Sequence, residues 1–149
     1  MKKILYIDMD GVLVDFDSKS KEISADILEK HRGDICNIRG VFLEMVPMPG
    51  AIDAFKKLSE KFDTYILTTA PWDNHFAWSE KLEWVKKYIG NVAEKRLIIT
   101  CHKNLNKGDY LIDDMRRNGS ERFEGELILF GSDEFLNWKN ILDYLLKKE

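Results

Sequence analysis

The amino-acid sequence predicts an α/β fold: a doubly wound, Rossmann-like, mostly parallel sheet of five strands, with a small, mainly helical cap inserted after the first strand. Two observations carry this prediction. Short apolar runs without polar alternation recur along the chain, as is typical of strands covered on both faces. Segments of helical period lie between these runs, and strands that alternate with helices form parallel sheets. Such folds bind their ligands outside the carboxyl ends of the strands.

The five predicted strands are short runs rich in Ile, Leu and Tyr, separated by longer polar or amphipathic stretches. Their continuous apolar character indicates central positions in the sheet rather than a solvent-exposed face. The runs are Lys3–Ile7, Thr64–Thr68, Arg96–Thr100, Tyr110–Ile112 and Glu126–Phe130.

Three segments outside the insertion carry apolar residues at helical spacing and predict helices over Ala51–Lys61, Ser79–Ile89 and Asn137–Lys147. Gly90 follows the second segment at a position suited to a C-terminal cap. The apolar stripes are Ile52, Phe55 and Leu58 in the first helix, Leu82, Val85 and Ile89 in the second, and Trp138, Ile141, Leu142, Leu145 and Leu146 in the third.

Residues 17–46 interrupt the alternation of strands and helices, and the turn sequence PMPG at residues 47–50 marks the return to it. We therefore expect a core of residues 1–16 and 47–149, with residues 17–46 forming a small cap over the carboxyl ends of the strands. Lys19–Lys30 predicts a short helix in this cap, whereas Ile35–Met45 shows no clear period.

The amino-acid composition and net charge of the chain argue against several classes of protein and several kinds of partner. The 149 residues are 44% hydrophobic and 33% charged, which is typical of one folded domain and excludes a disordered chain. The formal charge of -3 gives no basic field, so we expect no stable complex with nucleic acid and no binding to an anionic membrane. No apolar run approaches the roughly 18–20 residues that span a bilayer, and no signal-peptide pattern is present, so a cytoplasmic location is expected.

The first predicted strand runs directly into Asp8, followed by Met9, Asp10 and Gly11. Residues two apart in an extended segment point to the same side, and Gly11 allows a sharp turn, so Asp8 and Asp10 can face one small volume. Two carboxylates this close repel each other and need a cation. Mg²⁺ fits, because it prefers oxygen ligands and binds one or two carboxylates together with phosphate.

Polar residues also follow the other central strands. Asp113 and Asp114 end the fourth strand, where they could begin a turn and cap a helix, but two acidic strand ends in one fold favour a shared cation site. Thr68 and Thr69 end the second strand and Lys103 follows the third. A hydroxyl, backbone N–H groups and an ammonium are suited to hold phosphoryl oxygens.

This ordered set resembles the four-motif signature of the haloacid dehalogenase-like phosphohydrolases: DxDGVL at residues 8–13, then Thr68, Lys103 and the pair Asp113 and Asp114. Within that superfamily the sequence is most similar to the 5′(3′)-deoxyribonucleotidases. The segments that carry this likeness are DMDGVLVDF at residues 8–16, FLE at 42–44, PMPGA at 47–51, EK at 80–81, WVKKYIG at 84–90, LIDD at 111–114 and WKNIL at 138–142.

The resemblance implies the roles of the site residues. Asp8 would be the nucleophile and a metal ligand, and Asp10 the general acid and base, with its backbone carbonyl on the metal. Thr68, Thr69 and Lys103 would bind the phosphoryl oxygens. The remaining metal ligand would be Asp114, with Asp113 beside it or supporting it, and Phe16 would lie against the nucleobase or pack the insertion.

The resemblance implies a Mg²⁺-dependent phosphomonoesterase that hydrolyses (deoxy)nucleoside monophosphates through an aspartyl-phosphate, and a possible homodimer. The sequence departs from the family in two places: the insertion is shorter and lacks the Phe-Trp pair that helps hold the base, and TAPW at residues 69–72 stands where Ser-Pro is common. Alternatives are a phosphatase of the same superfamily acting on a phosphosugar or a polynucleotide end, and a non-enzymatic domain that binds a phosphorylated ligand.

Overall fold

The computed structural model describes residues 1–149. Five parallel strands form one sheet in the order β3-β2-β1-β4-β5, which confirms the predicted fold class. The strands are β1 (Ile4–Ile7), β2 (Asp63–Thr68), β3 (Leu97–Ile99), β4 (Tyr110–Asp113) and β5 (Glu126–Leu129).

The helices are α1 (Phe16–Glu22), α2 (Ala25–Lys30), α3 (Ala51–Lys61), α4 (His75–Tyr88) and α5 (Trp138–Leu145). None of them combines the length and the apolar composition that a bilayer crossing needs.

The two faces of the sheet are covered differently. Leu5 and Ile7 of β1 point into the main core, to which α3, α4 and α5 all contribute buried side chains. Tyr6, between them, points to the opposite face and packs with Leu67, Leu111 and Phe123 in a smaller cluster that contains no helical residue. The three long helices therefore support the sheet from one side, and short connections cover the other.

The register of the sheet aligns the ends of its central strands. Ile7 pairs with Ile66 of β2 and with Ile112 of β4. Because all three strands are parallel, the residues that follow them leave the same edge of the sheet. Asp8 and Asp113 are consequently neighbours, and the Asp8 amide donates to the Ile112 carbonyl at 2.9 Å.

The turn after β1 is tightly wound. The Met9 carbonyl accepts hydrogen bonds from the amides of Val12, Leu13 and Val14 at 2.9–3.0 Å. The buried Trp138 indole of α5 donates to the Val12 carbonyl at 2.9 Å, which anchors the turn to a helix 126 residues away in sequence. Asp8 and Asp10 therefore project from a fixed backbone.

The predicted helix over Lys19–Lys30 is wrong, because this segment contains two helices. The backbone is extended at Ile23, which ends α1, and the Ser24 hydroxyl accepts from the Ile27 amide to begin α2. The region for which the sequence shows no period forms two short 3₁₀ helices, Ile35–Asn37 and Val41–Glu44. Ile35 and Val41 are buried in the same core as the sheet.

Helix α4 begins earlier than predicted, and its buried face matches the predicted apolar stripe only in part, since Val85 and Ile89 are buried as predicted. Ala77, Lys81, Trp84 and Val85 are buried at helical spacing, whereas Leu82 is 43% exposed, so its predicted place in the apolar stripe is wrong. The inward face of this helix therefore carries a lysine, and the reason lies in the site beneath it.

Candidate active site

One cleft of about 180 Å³ opens at the carboxyl edge of the sheet. Side chains from separate parts of the chain line it, including Asp8 after β1, Thr68 at the end of β2, Lys103 after β3 and Asp114 after β4. Residues Asp34, Cys36 and Phe42 of the insertion form its opposite wall. The candidate site is thus a junction between the strand ends and the inserted segment.

Lys103 binds two carboxylates at once. Its Nζ donates to Asp8 Oδ1 at 2.9 Å and to Asp113 Oδ2 at 2.6 Å, and all three side chains are buried. Desolvation lowers the pKa of Lys103, but the negative charges of Asp8 and Asp113 outweigh it and raise that pKa overall. The lysine is therefore a fixed cation between two acids.

Asp8, Asp113 and Asp114 offer carboxylate oxygens that all lie within 4.8 Å of one another. Burial raises the pKa of Asp8 to about 6, with the Asp113 charge adding to the rise and Lys103 opposing it. Burial, then the charges of Asp8 and Asp113, raise the pKa of Asp114 to about 7. One lysine does not balance three acids, so a further cation in the cluster would favour its full ionisation near neutral pH.

The two acids that end β4 differ in their partners. Asp113 uses both oxygens, since Oδ2 accepts from Lys103 and Oδ1 accepts from the Met115 amide at 3.1 Å. Asp114 is paired with no cation, and its Oδ2 lies against Gly11 so closely that a Cβ at that glycine would collide with it. Gly11 also has φ +78°, a conformation that favours glycine. The turn after β1 is thus shaped around the Asp114 carboxylate.

Lys81 reaches the site from α4 and was missed in the sequence. This fully buried side chain donates from Nζ to Asp10 Oδ2 at 2.8 Å and to Thr68 Oγ1 at 3.1 Å. The same ammonium lies 4.7 Å from the centre of the Phe42 ring of the insertion. Burial raises the pKa of Asp10 although Lys81 opposes the rise, and Asp10 Oδ1 has no hydrogen-bond partner.

A signal for Lys81 does exist in the sequence. It follows Ala77 by four residues and precedes Trp84 by three, so a buried helix face through Ala77 and Trp84 includes it. The prediction instead placed Leu82 on that face. A lysine within an apolar stripe is costly to bury without a partner, and in this fold Asp10 is that partner.

The two threonines after β2 are held differently. Thr68 is buried beside Lys81, whereas the Thr69 hydroxyl donates to the Thr100 carbonyl at 2.8 Å and so ties the end of β2 to the segment after β3. Both residues line the cleft.

The sequence of this chain is 50% identical over 144 residues to a candidate 5′(3′)-deoxyribonucleotidase of Vibrio phage KVP40, a match that covers 97% of this chain and 85% of the phage protein. Residues 30–142 match the family model described as 5′ nucleotidase, deoxy (Pyrimidine), cytosolic type C protein. The chain belongs to the 5′(3′)-deoxyribonucleotidase family. It is accordingly a phosphoric monoester hydrolase of the nucleotidase type, as the resemblance predicted.

Two further comparisons agree. The human cytosolic 5′(3′)-deoxyribonucleotidase is 28% identical over 165 residues, covering 91% of this chain and 77% of the human protein. The magnesium-bound crystal structure of a candidate haloacid dehalogenase-like hydrolase, YfnB of Bacillus subtilis, superposes with a TM-score of 0.65 at 10% identity and covers 99% of each chain. At that identity the second likeness concerns the fold alone.

In this deoxyribonucleotidase family member a second pocket of about 440 Å³ adjoins the cleft. Asp10 and Asp114 line both spaces, and Phe16, Met48 and Phe130 add an apolar wall to the second. The resemblance implied that Phe16 lies against the nucleobase or packs the insertion. Phe16 begins α1 directly after Asp15, whose carboxylate caps that helix by accepting from the Ser18 amide. The site therefore consists of an acidic cleft and an adjoining pocket with a more apolar lining.

Proposed function

We propose that this enzyme hydrolyses deoxyribonucleoside monophosphates with Mg²⁺, through an aspartyl-phosphate formed on Asp8. The observation that carries the proposal is the convergence of Asp8, Lys103 and Asp114 on one cleft, with Asp10 held alongside by Lys81. A nucleophile, an acid-base group and fixed positive charge are the parts that phosphoryl transfer requires.

Mg²⁺ fits the donor set of the cleft. The candidate ligands are all oxygens, which Mg²⁺ prefers. Burial and the neighbouring carboxylates raise the pKa values of Asp8 and Asp114, so a cation there would stabilise their ionised forms. Gly11 leaves the Asp114 carboxylate room that any other residue would fill. Asp8, Asp114 and the Asp10 carbonyl would hold the ion. Asp113, with both oxygens engaged, would fix Lys103 and the cluster from behind. When bound, the ion supplies charge that keeps Asp8 ionised and neutralises the phosphoryl group.

In the first step a carboxylate oxygen of Asp8 attacks phosphorus and the phosphorus–oxygen bond to the nucleoside breaks. Lys103 holds Asp8 Oδ1 and so sets the direction of attack. Asp10 gives its proton to the departing nucleoside oxygen. The orphaned Oδ1 of Asp10 is the atom placed to carry that proton, because Oδ2 is occupied by Lys81.

In the second step the Asp10 carboxylate takes a proton from water, whose oxygen bonds to phosphorus as the bond to Asp8 breaks. Free Asp8, inorganic phosphate and protonated Asp10 result. Lys81 holds Asp10 through both steps, while Thr68 and Lys103 contact the phosphoryl oxygens.

The leaving nucleoside would occupy the adjoining pocket, where Phe16, Met48 and Phe130 offer apolar surface to sugar and base. Relatives named as 5′(3′)-deoxyribonucleotidases support this substrate class, and the name of the human relative, cytosolic type, supports a cytoplasmic location. The proposed core consists of residues 1–16 and 47–149, and the proposed cap consists of residues 17–46. The lining of the cleft supports this division, since the insertion supplies one wall of it.

The test is phosphate release with Mg²⁺ from a panel containing dTMP, dUMP, the matching ribonucleotides, glucose 6-phosphate and a 5′-phosphorylated oligonucleotide. We expect the deoxyribonucleotides to have the highest kcat/KM. Asp8→Asn should lose on the order of 10⁴-fold or more in kcat, whereas Asp53→Asn on the exposed side of α3 should not change it. A higher kcat/KM for the sugar phosphate or the oligonucleotide would contradict the proposed substrate.

A further inference from the structure

We propose that Arg117 is a phosphate-binding residue of the cleft, whose guanidinium receives the phosphoryl oxygens of the substrate and of the inorganic phosphate product. The proposal rests on the proposed function in one respect, that the ligand of the cleft carries a phosphate group, and it adds a residue that the motif pattern of the sequence does not contain.

The charges of the cleft lining point to this residue. Two basic residues line the cleft, Lys103 and Arg117, and Lys103 is already paired with Asp8 and Asp113. Arg117 takes part in no ion pair. A phosphate dianion entering this acidic space therefore meets one cation whose donors are not engaged. The carboxylates that line the cleft are Asp8, Asp10, Asp34, Asp113 and Asp114.

The position of Arg117 agrees with its chemistry. It lines both the cleft and the adjoining apolar pocket, so it lies at the boundary where the phosphoryl group and its leaving group must meet. A guanidinium offers five N–H donors in a planar fork that matches phosphate oxygens. Lys103, with two of its three donors used by Asp8 and Asp113, has one left.

The loop that carries Arg117 is fixed before any ligand arrives. The buried Ser120 hydroxyl accepts from the Arg117 amide at 3.0 Å and lies 2.8 Å from the Met115 carbonyl. The Asn118 carbonyl accepts from the Lys103 amide at 2.8 Å, and Gly119 packs against the same backbone with no room for a Cβ. Because the loop backbone is already ordered beside Lys103, binding through Arg117 requires ordering of its side chain but little further ordering of the backbone.

The experiment is calorimetric titration of the full chain with inorganic phosphate in saturating Mg²⁺. Arg117→Ala should weaken phosphate binding by roughly tenfold, the usual effect of losing a charge-assisted contact. Arg116→Ala is the matched control, because Arg116 is exposed, adjacent and equally charged but lines neither pocket, and it should change affinity less than twofold. Arg117→Lys should fall between wild type and Arg117→Ala, since it keeps the charge without the fork.

If Arg116→Ala and Arg117→Ala weaken phosphate binding equally, the effect comes from general surface charge and the proposal is overturned. Wild-type phosphate affinity in Arg117→Ala would also overturn it. Arg117 is exposed, so unchanged thermal melting of both variants is expected and checks that they fold. The titration needs no turnover. A wild-type protein that binds phosphate through Arg117 but hydrolyses no nucleotide would therefore refute the proposed function and leave this proposal standing.

Discussion

Lys103 and Lys81 are both buried and both hold an acid of the candidate site, but they belong to different parts of it. Lys103 binds Asp8 and Asp113, which both belong to the acidic cluster that would hold a metal ion. Lys81 binds Asp10 and Thr68, and its ammonium faces the Phe42 ring of the insertion.

The difference indicates how the site divides its work. The charge of Lys103 offsets the negative charge around Asp8, the proposed nucleophile, and a bound cation would do the same. Through its Nζ atom, Lys81 contacts Asp10, the proposed acid-base group, Thr68, the proposed phosphate ligand, and the Phe42 ring of the insertion. We therefore expect loss of Lys103 to be partly compensated by metal, and loss of Lys81 not to be.

Of the two lysine substitutions, Lys103→Met should give the larger effect. Removing one partner of a buried ion pair costs about 3–5 kcal/mol, because the remaining acids lose their counter-charge. The kcat should fall on the order of 10²–10³-fold as charge at the phosphoryl group is lost. Thermal melting with and without Mg²⁺ measures the first effect, and saturating Mg²⁺ should restore part of the lost stability. A variant with wild-type kcat would contradict the role of Lys103.

Lys81→Met should lower kcat by about 10²-fold, because Asp10 loses the contact that orients it. Its stability loss should not respond to Mg²⁺, since the carboxylate it frees lies outside the acidic cluster. Lys86→Met, on the exposed side of the same helix, is the control and should leave both quantities unchanged. Recovery of Lys81→Met by Mg²⁺ to the same extent as Lys103→Met would remove the distinction between the two lysines.

Gly11→Ala tests the acidic cluster without touching either lysine. The new Cβ would meet Asp114 Oδ2, so we expect Mg²⁺ affinity to fall by about 10–100-fold, the range seen when groups that orient metal ligands are changed. Gly90→Ala has nearly the same φ, +75°, and open space around it. Gly90→Ala therefore introduces the same backbone strain as Gly11→Ala without a clash at Asp114. Equal Mg²⁺ affinities in the two variants would contradict the role of Asp114 as a metal ligand.

The smallest effect concerns pH. Asp8 and Asp114 have folded-state pKa values of about 6 and 7, above the ordinary 3.8, so their contribution to stability is present below pH 3.8 and is lost as pH rises through 6 and 7. For Asp8 alone the loss between pH 5 and pH 8 is roughly 1–2 kcal/mol. Mg²⁺ binds the ionised acids and should raise the melting temperature more at pH 8 than at pH 5. An equal rise at both values would contradict an acidic metal site.

Sequence reasoning was most successful where one local rule decides the structure. The apolar runs marked all five strands, and the acids after β1 and β4 could be assigned to one edge because parallel strands end together.

It failed where contacts distant in sequence decide. The spacing from Ala77 and Trp84 places Lys81 on the buried face of α4, but a buried lysine needs a partner, and that partner is Asp10, 71 residues away in sequence. Nothing within α4 identifies Asp10, so the apolar Leu82 was the expected inward residue. In the insertion, apolar residues at helical spacing predict one helix, whereas the backbone is extended at Ile23, whose side chain packs against the core.

The central claim is that Asp8 forms the covalent intermediate, and trapping tests it most directly. Asp10→Asn should be mixed with p-nitrophenyl phosphate and Mg²⁺, because this leaving group departs without a proton from Asp10 whereas breakdown of the intermediate needs Asp10 as a base. Borohydride reduction and peptide mass spectrometry then locate the phosphorylated residue. We predict a burst of nitrophenol and homoserine at position 8. Borohydride reduction at another residue, or an identical nitrophenol burst in the variant that carries both Asp8→Asn and Asp10→Asn, would contradict a covalent intermediate on Asp8.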